Sequence, residues 1–214
     1  MARPDLLSWG GSPVTLAEFK THAGINTTGL DGALQIWIDA ATQQLESETG
    51  LAVLSSSFRQ YQHQHRHHHG RYEVSYNPWH HYRHIKGWIT LTTPNVTAIN
   101  NLSYMDTTDA LQTLTWADAQ AAGWSAFLSD WAEVYREDGV YPDRDSHFAE
   151  RGYVEYTAGW ATAADVPARV KNAIMFLATH WYRNKTAVVT GTIATELPLG
   201  WQVLVDGLRK RYWT

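Results

Sequence analysis

No cysteine occurs anywhere in the 214 residues. Disulfide staples, thiolate nucleophiles and thiolate zinc sites are all excluded. Long apolar runs are missing as well. None approaches the ~20 residues of a membrane-spanning helix, and the opening MARPDLLSWGGSP holds no apolar signal core. These absences make a soluble, intracellularly made protein the expectation. Positive charge is sparse: 17 Lys and Arg stand against 21 Asp and Glu, a formal net charge of −4 with histidine neutral. A protein whose main task is to coat nucleic acid carries the opposite balance, although a local basic patch is compatible with it. Catalytic motifs are absent too. Ser8, Ser12 and Ser125 lie in no G-x-S-x-G context. There is no P-loop and no G-x-G-x-x-G. Nothing sets two carboxylates across one cleft. No catalytic residue, no cofactor site and no cofactor is assigned.

Aromatic and imidazole side chains are plentiful. The chain has 11 tryptophans and 11 histidines, and eight of the histidines fall between His63 and His84. Apolar residues make up 44% and charged residues 18%, an ordinary balance with enough apolar material for a sizeable core in one or two domains.

The strongest periodic signal is Asp165 to Lys185. Val166, Val170, Ile174, Leu177 and Trp181 recur at helical spacing, and Ala173, Phe176 and Ala178 widen the stripe. Arg169, Lys171, Asn172 and Arg183 form the opposite side. Asp165 is the expected N-cap, with Pro167 tolerated in the first turn. Trp181 is expected to be interior.

Upstream, Met1 to Pro13 reads as an extended arm with Leu6, Leu7 and Trp9 as apolar anchors. Thr15 and Glu18 match a capping box, and the short helix they open ends near Gly24. Asp31 is the expected cap of a second helix with a stripe at Leu30, Leu34, Ile38, Ala41 and Leu45, stopped by Gly50. The period then falls to two. Strands are expected at Phe58 to His69, with a return at Arg71 to Tyr76 after a turn at Gly70. More are expected at Trp88 to Leu91, Val96 to Met105, Leu111 to Trp116, Phe127 to Tyr135 and Tyr153 to Tyr156, with a short helix at Thr115 to Gly123. A last short helix carries Trp201, Leu204 and Leu208. No βαβ alternation appears, so a parallel α/β fold is not expected. The fold class is α+β, a helical bundle of two N-terminal and two C-terminal helices with an antiparallel β-rich insertion between the second and third. In residues, 1–14 is the arm, 15–50 the helical hairpin, 51–160 the insertion with a His-rich hairpin at 61–84, 161–207 the C-terminal helices and 208–214 a tail.

Three stretches could carry chemistry. His63, His65, His67 and His69 share one face if they lie on a strand, with successive side chains roughly 6.5–7 Å apart. His80, His81 and His84 could join them, and zinc, nickel or copper would suit such a set. Only Glu73 is near in sequence to supply a carboxylate, so the segment reads as a polar surface hairpin and no metal is assigned; a metal-binding protein or metal-dependent enzyme using His63 to His84 is the alternative reading. It could also act as a pH-dependent charge patch. Asp143, Asp145 and Glu150 lack the glycine and ligand register of a calcium loop. The tail Arg209-Lys210-Arg211-Tyr212-Trp213 could touch phosphates. Its aromatics fit a protein partner better, since tyrosine, tryptophan and arginine are common interface anchors.

Six stretches in this order resemble the head–tail connector (adaptor, or head-completion) proteins of long-tailed bacteriophages and gene-transfer particles. They are VTLAEFKTH from Val14, LQIWIDAATQQLESETG at Leu34 to Gly50, ITLTTPNVTAINNLSYMD at Ile89 to Asp106, YVEYTAGW at Tyr153 to Trp160, VPARVKNAIMFLATHWYRNK at Val166 to Lys185, and ELPLGWQVLVDGLR at Glu196 to Arg209. The departures are Tyr61 to His84 and Asp118 to Glu150. The resemblance implies a non-enzymatic virion protein, made in the host cytoplasm and placed in the neck. It implies a homo-oligomeric ring, commonly of twelve copies, beneath the portal protein. That ring extends the channel for genomic DNA without reading its sequence, touches no membrane, and offers a surface to a tail-side neck, terminator or stopper protein. By that analogy Leu208, Arg209, Lys210, Arg211, Tyr212 and Trp213 would dock on the portal, and the histidines would lie at the periphery or the tail-facing end.

Overall fold

The computed structural model describes residues 4–61, 65–66, 72–73, 89–105, 110–128, 132–136, 152–184 and 199–209. The chain is α+β, with five helices and antiparallel sheets among the described residues. It divides into two compact units. One holds Met1–Trp9 and Ser56–Gly159, the other Gly10–Ser55 and Trp160–Thr214.

The second unit is helical. Its helices are α1 (Leu16–Ala23), α2 (Asp31–Thr49), α4 (Ala168–Arg183) and α5 (Leu199–Asp206). Thr15 and Glu18 form the capping box: the Glu18 N–H donates to the Thr15 hydroxyl at 3.2 Å, and the Thr15 N–H donates to the Glu18 carboxylate at 2.8 Å. Gly24 and Gly50 close α1 and α2 in the left-handed region, with φ of 70° and 73°. Neither expected aspartate cap forms. Leu30 occupies the cap position of α2, while Asp31 is already helical and accepts from Lys20 Nζ at 2.8 Å. Pro167 occupies that position in α4, because the Asp165 carboxylate is taken by the Thr162 N–H and hydroxyl. Phe19, Leu34, Ile38, Ala41 and Leu45 bury against Val170, Ala173, Ile174, Leu177, Ala178, Trp201 and Val205. Two expected members of the stripes lie outward, Leu30 and Phe176, and Trp181 is only half-buried. Trp181 sits in the last turn of α4, where the core thins and Trp37 and Tyr182 meet edge to face at 5.7 Å.

The first unit is mostly sheet. A five-stranded antiparallel sheet has the order β1-β2-β10-β6-β7. Its strands are β1 (Asp5–Ser8), β2 (Ser56–Tyr61), β10 (Tyr153–Ala158), β6 (Val96–Met105) and β7 (Leu111–Thr115). The N-terminal arm is therefore not free: Asp5 to Ser8 pairs with β2 as an edge strand. A second sheet holds β5 (Ile89–Thr90), β9 (Glu133–Arg136) and β8 (Trp124–Phe127). The single strand expected at Phe127 to Tyr135 is instead the end of β8 and most of β9, paired antiparallel. The helix α3 (Trp116–Ala121) follows β7 directly and is capped by Thr115. The remaining pair is β3 (His65–Arg66) with β4 (Tyr72–Glu73). Gln60, buried on β2, uses its whole amide to hold the segment at the β5 end. Its Nε2 donates to the Thr90 carbonyl at 2.9 Å, and its Oε1 accepts from the Thr92 N–H and hydroxyl, each at 2.9 Å. The large majority of buried polar groups are satisfied in this way.

Three passes of the chain lie side by side in the helical unit. Leu54 and Trp160 form a parallel bridge. The Ser55 N–H donates to the Trp160 carbonyl at 3.0 Å, and the Trp160 N–H donates to the Val53 carbonyl at 3.2 Å. Gly10 presses on the same point: a Cβ there would stand 2.5 Å from the Ser55 carbonyl oxygen and 2.9 Å from Leu54. Backbone cannot retreat as a side chain does, so Gly10→Ala should lower stability by about 1–3 kcal/mol in chemical denaturation. Trp201, 2% exposed, should cost about 3–5 kcal/mol on truncation to alanine. Trp181→Ala should cost less than Trp201→Ala in the same assay, and the reverse ranking would reassign the core.

Candidate functional site

The histidine-rich segment is described only at its base. His65 stands opposite Glu73, and Arg66 opposite Tyr72, in the β3–β4 register. The one carboxylate near the histidines in sequence is thus paired in register with one of them. His63, His67, His69, His80, His81 and His84 lie outside the described residues, as do Asp143, Asp145 and Glu150. Among the described residues no three His, Asp or Glu side chains group closely enough to hold a metal ion.

The tail is described as far as Arg209. Leu208 packs against the helical core. Arg209 Nε donates to the Glu48 carbonyl at 3.0 Å, and its guanidinium pairs with the Glu48 carboxylate and, at 3.3 Å, with Asp206. A cation on the last carbonyls of α2 also suits the negative end of that helix dipole. Two of the six candidate docking residues are therefore engaged with their own chain. Lys210, Arg211, Tyr212 and Trp213 lie outside the described residues.

Sequence reading missed a charged network on the five-stranded sheet. Arg59 on β2, Glu155 on β10 and Asn101 on β6 fall in register, because all three face the same side of adjacent strands. Arg59 Nε and Nη2 donate to Glu155 Oε1 at 2.9 and 2.5 Å, and Asn101 Nδ2 donates to Oε2 at 2.7 Å. The Arg59 guanidinium stands 4.4 Å from the centre of the Tyr153 ring, which meets Tyr61 edge-on at 5.9 Å. Burial pushes the Glu155 carboxyl up, but the bonds from Asn101 and Arg59 and the guanidinium charge outweigh it and hold the carboxyl below its ordinary range. Arg59 is held above its ordinary range, chiefly by its bond to Glu155. On the buried side of the same strand, burial pushes Tyr156 up to about 12, against the opposing bond from Thr93. Both Glu155 oxygens are occupied, and its charge is already balanced. Such an arrangement ties three strands together and offers no free acid or base. Arg59 and Glu155 are 96 residues apart, so only parity along the two strands hinted at the pairing.

A carboxyl whose folded pKa is depressed stabilises the fold above the unfolded value of about 4.3, and that contribution fades as pH falls through the folded value. Glu155→Gln should cost about 1–2 kcal/mol at pH 7. The gap from the parent should narrow on acidification through the carboxylate range, as read from denaturant midpoints at pH 7 and pH 3.

Residues 13–76 match the sequence profile described as phage gp6-like head-tail connector protein. A search of curated proteins finds no match. Among solved structures, the fold is similar to a chain in the neck of an empty gene transfer agent particle computed with C6 symmetry. That match has a TM-score of 0.64 and 20% identity, and covers 96% of this chain and 95% of that one. It is similar to a chain in the virion of a native gene transfer agent particle, with a TM-score of 0.67, 19% identity and coverage of 97% and 95%. A third likeness, with a TM-score of 0.63 and 20% identity, is to a chain in the native particle's neck computed with C12 symmetry, with coverage of 96% and 94%. Residues 13–76 thus carry the sequence signature of the phage gp6-like head–tail connectors, on a fold shared over nearly its whole length with chains of gene transfer agent particles.

Proposed function

We propose that this chain is a structural head–tail connector of a phage-like particle, assembling as a ring in the neck between the portal and the tail. The observation that carries the reading is the coincidence of two signals. The connector profile falls on residues 13–76, and the whole chain, not that part alone, shares its fold with chains of particle necks. The C12 symmetry applied to one of those necks favours twelve copies here. In this reading α1, α2, α4 and α5 are the bundle and residues 56–159 are an insertion into it. The ring lines a passage for DNA, which suits a chain with net charge −4: a channel that gripped phosphates would hinder transit.

The role is architectural, and no catalytic step is assigned to any residue. The histidine segment belongs at the periphery or on the tail-facing side. Portal docking falls to the last residues of the chain. Leu208 and Arg209 are held by the helical unit, so they serve as the anchor from which Lys210, Arg211, Tyr212 and Trp213 reach the portal. The aromatics supply the buried area and the cations pair with an acidic groove, while many weak contacts around a ring add up to firm attachment.

Truncation after Arg209 tests this with the anchor intact. The shortened chain should fold with an unchanged melting transition yet fail to add ring density to purified tailless heads, as seen by electron microscopy. Normal occupancy would move the portal contact elsewhere.

A further inference from the structure

Charge is segregated between two helices of the helical unit. α2 carries Asp31, Asp39, Glu46 and Glu48 and no Lys, Arg or His. α4 carries Arg169, Lys171, His180 and Arg183 and no Asp or Glu. Each helix buries one face in the shared core, and each leaves an apolar residue outward where a solvated face would carry charge. On α2 that residue is Ile36, 67% exposed. It lies two positions from both Leu34 and Ile38, which are buried, and so stands about 200° around the helix from the core. Gly32, Ala33, Gln43 and Ser47 are exposed along the same helix, a face of small or uncharged side chains. Asp39 lies one turn from Ile36, and its carboxylate accepts from the Gln35 amide at 2.9 Å.

The second patch spans α4 and α5. Phe176 is exposed beside Gly200: a Cβ on Gly200 would touch the Phe176 ring at 3.6 Å. Val203, one turn along α5, is 69% exposed. Its carbonyl accepts from Arg169 Nη2 at 3.4 Å, which brings a guanidinium to the edge of the apolar patch. Asp206, further along α5, is paired with Arg209. The Lys171 ammonium is paired with Glu18 at 3.2 Å.

We infer that these two patches are the two halves of a contact between copies of this chain. Ile36 of one copy seats against Phe176 and Val203 of the next, and Asp39 lies against Arg169. The inference rests on the ring reading. A closed ring of one chain needs two different surfaces that fit each other, one facing each neighbour. The α2 patch points away from the α4 interface within its own molecule, so the patches cannot satisfy each other inside one copy. Opposite charge fixes which way the two meet and disfavours α2 against α2.

The absence of cysteine makes the test direct. Ile36→Cys and Val203→Cys are made singly and together in the full chain, and assembled protein is oxidised mildly. Neither single variant should give a covalent dimer alone. Their mixture should give dimers, and the double variant a ladder ending at the ring number. Asp39→Arg and Arg169→Asp should each weaken assembly by about tenfold or more, and combining them should restore it. A closed ring by native mass spectrometry without mixed dimers overturns the contact and leaves the ring. Dimers from one single variant alone mean a two-fold contact and also overturn it. A ladder on an open, non-closing polymer upholds the contact and overturns the ring. No assembly and no cross-link, either free or on tailless heads, overturns both.

Discussion

The chain leaves the helical unit at Ser55 and rejoins it at Trp160, and the fold depends on those two points staying together. The parallel bridge between Leu54 and Trp160 holds them. Closing an excursion of this length costs on the order of 4 kcal/mol in chain entropy. Two backbone hydrogen bonds return only about 1–3 kcal/mol of that, so the apolar core on either side supplies the rest. Gly10 belongs to the same constraint. Its missing side chain is what lets a third pass of backbone lie against Leu54 and Ser55.

The elements legible in the sequence are those whose determinants lie within a turn of each other. Thr15 and Glu18 are three apart, and Gly24 and Gly50 end their helices by their own backbone freedom. The candidate strand at Val96 to Met105 forms over that span. The illegible features depend on distant partners. Asp31 has the chemistry of a cap, but the Lys20 ammonium, from the preceding helix, holds its carboxylate. Asp165 is the exception, a local competition, since Thr162 just upstream draws its carboxylate away from the helix. The N-terminal arm becomes a strand only because Asp5 and Leu6 meet Arg59 and Phe58, more than fifty residues on. The break between β8 and β9 is hidden because apolar residues continue through Phe127 and Leu128, both exposed.

The same distinction applies to the surfaces. Composition alone picked out the histidine segment and the basic tail. The Arg59–Glu155–Asn101 network needed three strands in register, and the Ile36 and Val203 patches needed burial to reveal which apolar residues the core leaves out. Spacing already sets Ile36 off the Leu34 and Ile38 stripe, whereas Phe176 reads as part of the α4 stripe until burial places it outside. Ion pairs link elements within each unit, while Ile36, Phe176 and Val203 are left exposed on the helices.

The split of the helical unit along the chain also sets an order of events at the ribosome. The β-rich residues emerge after α1 and α2 and before α4. At about 5–20 residues per second, the apolar stripe of α2 waits roughly 6–27 s for its partner α4. During that interval Leu34, Ile38 and Leu45 can pack against Val14, Phe19 and Ile25 of their own cluster but not against α4. The hairpin of α1 and α2 therefore stays without α4 while residues 56–159 are synthesised behind it, and faster translation through them shortens the exposure.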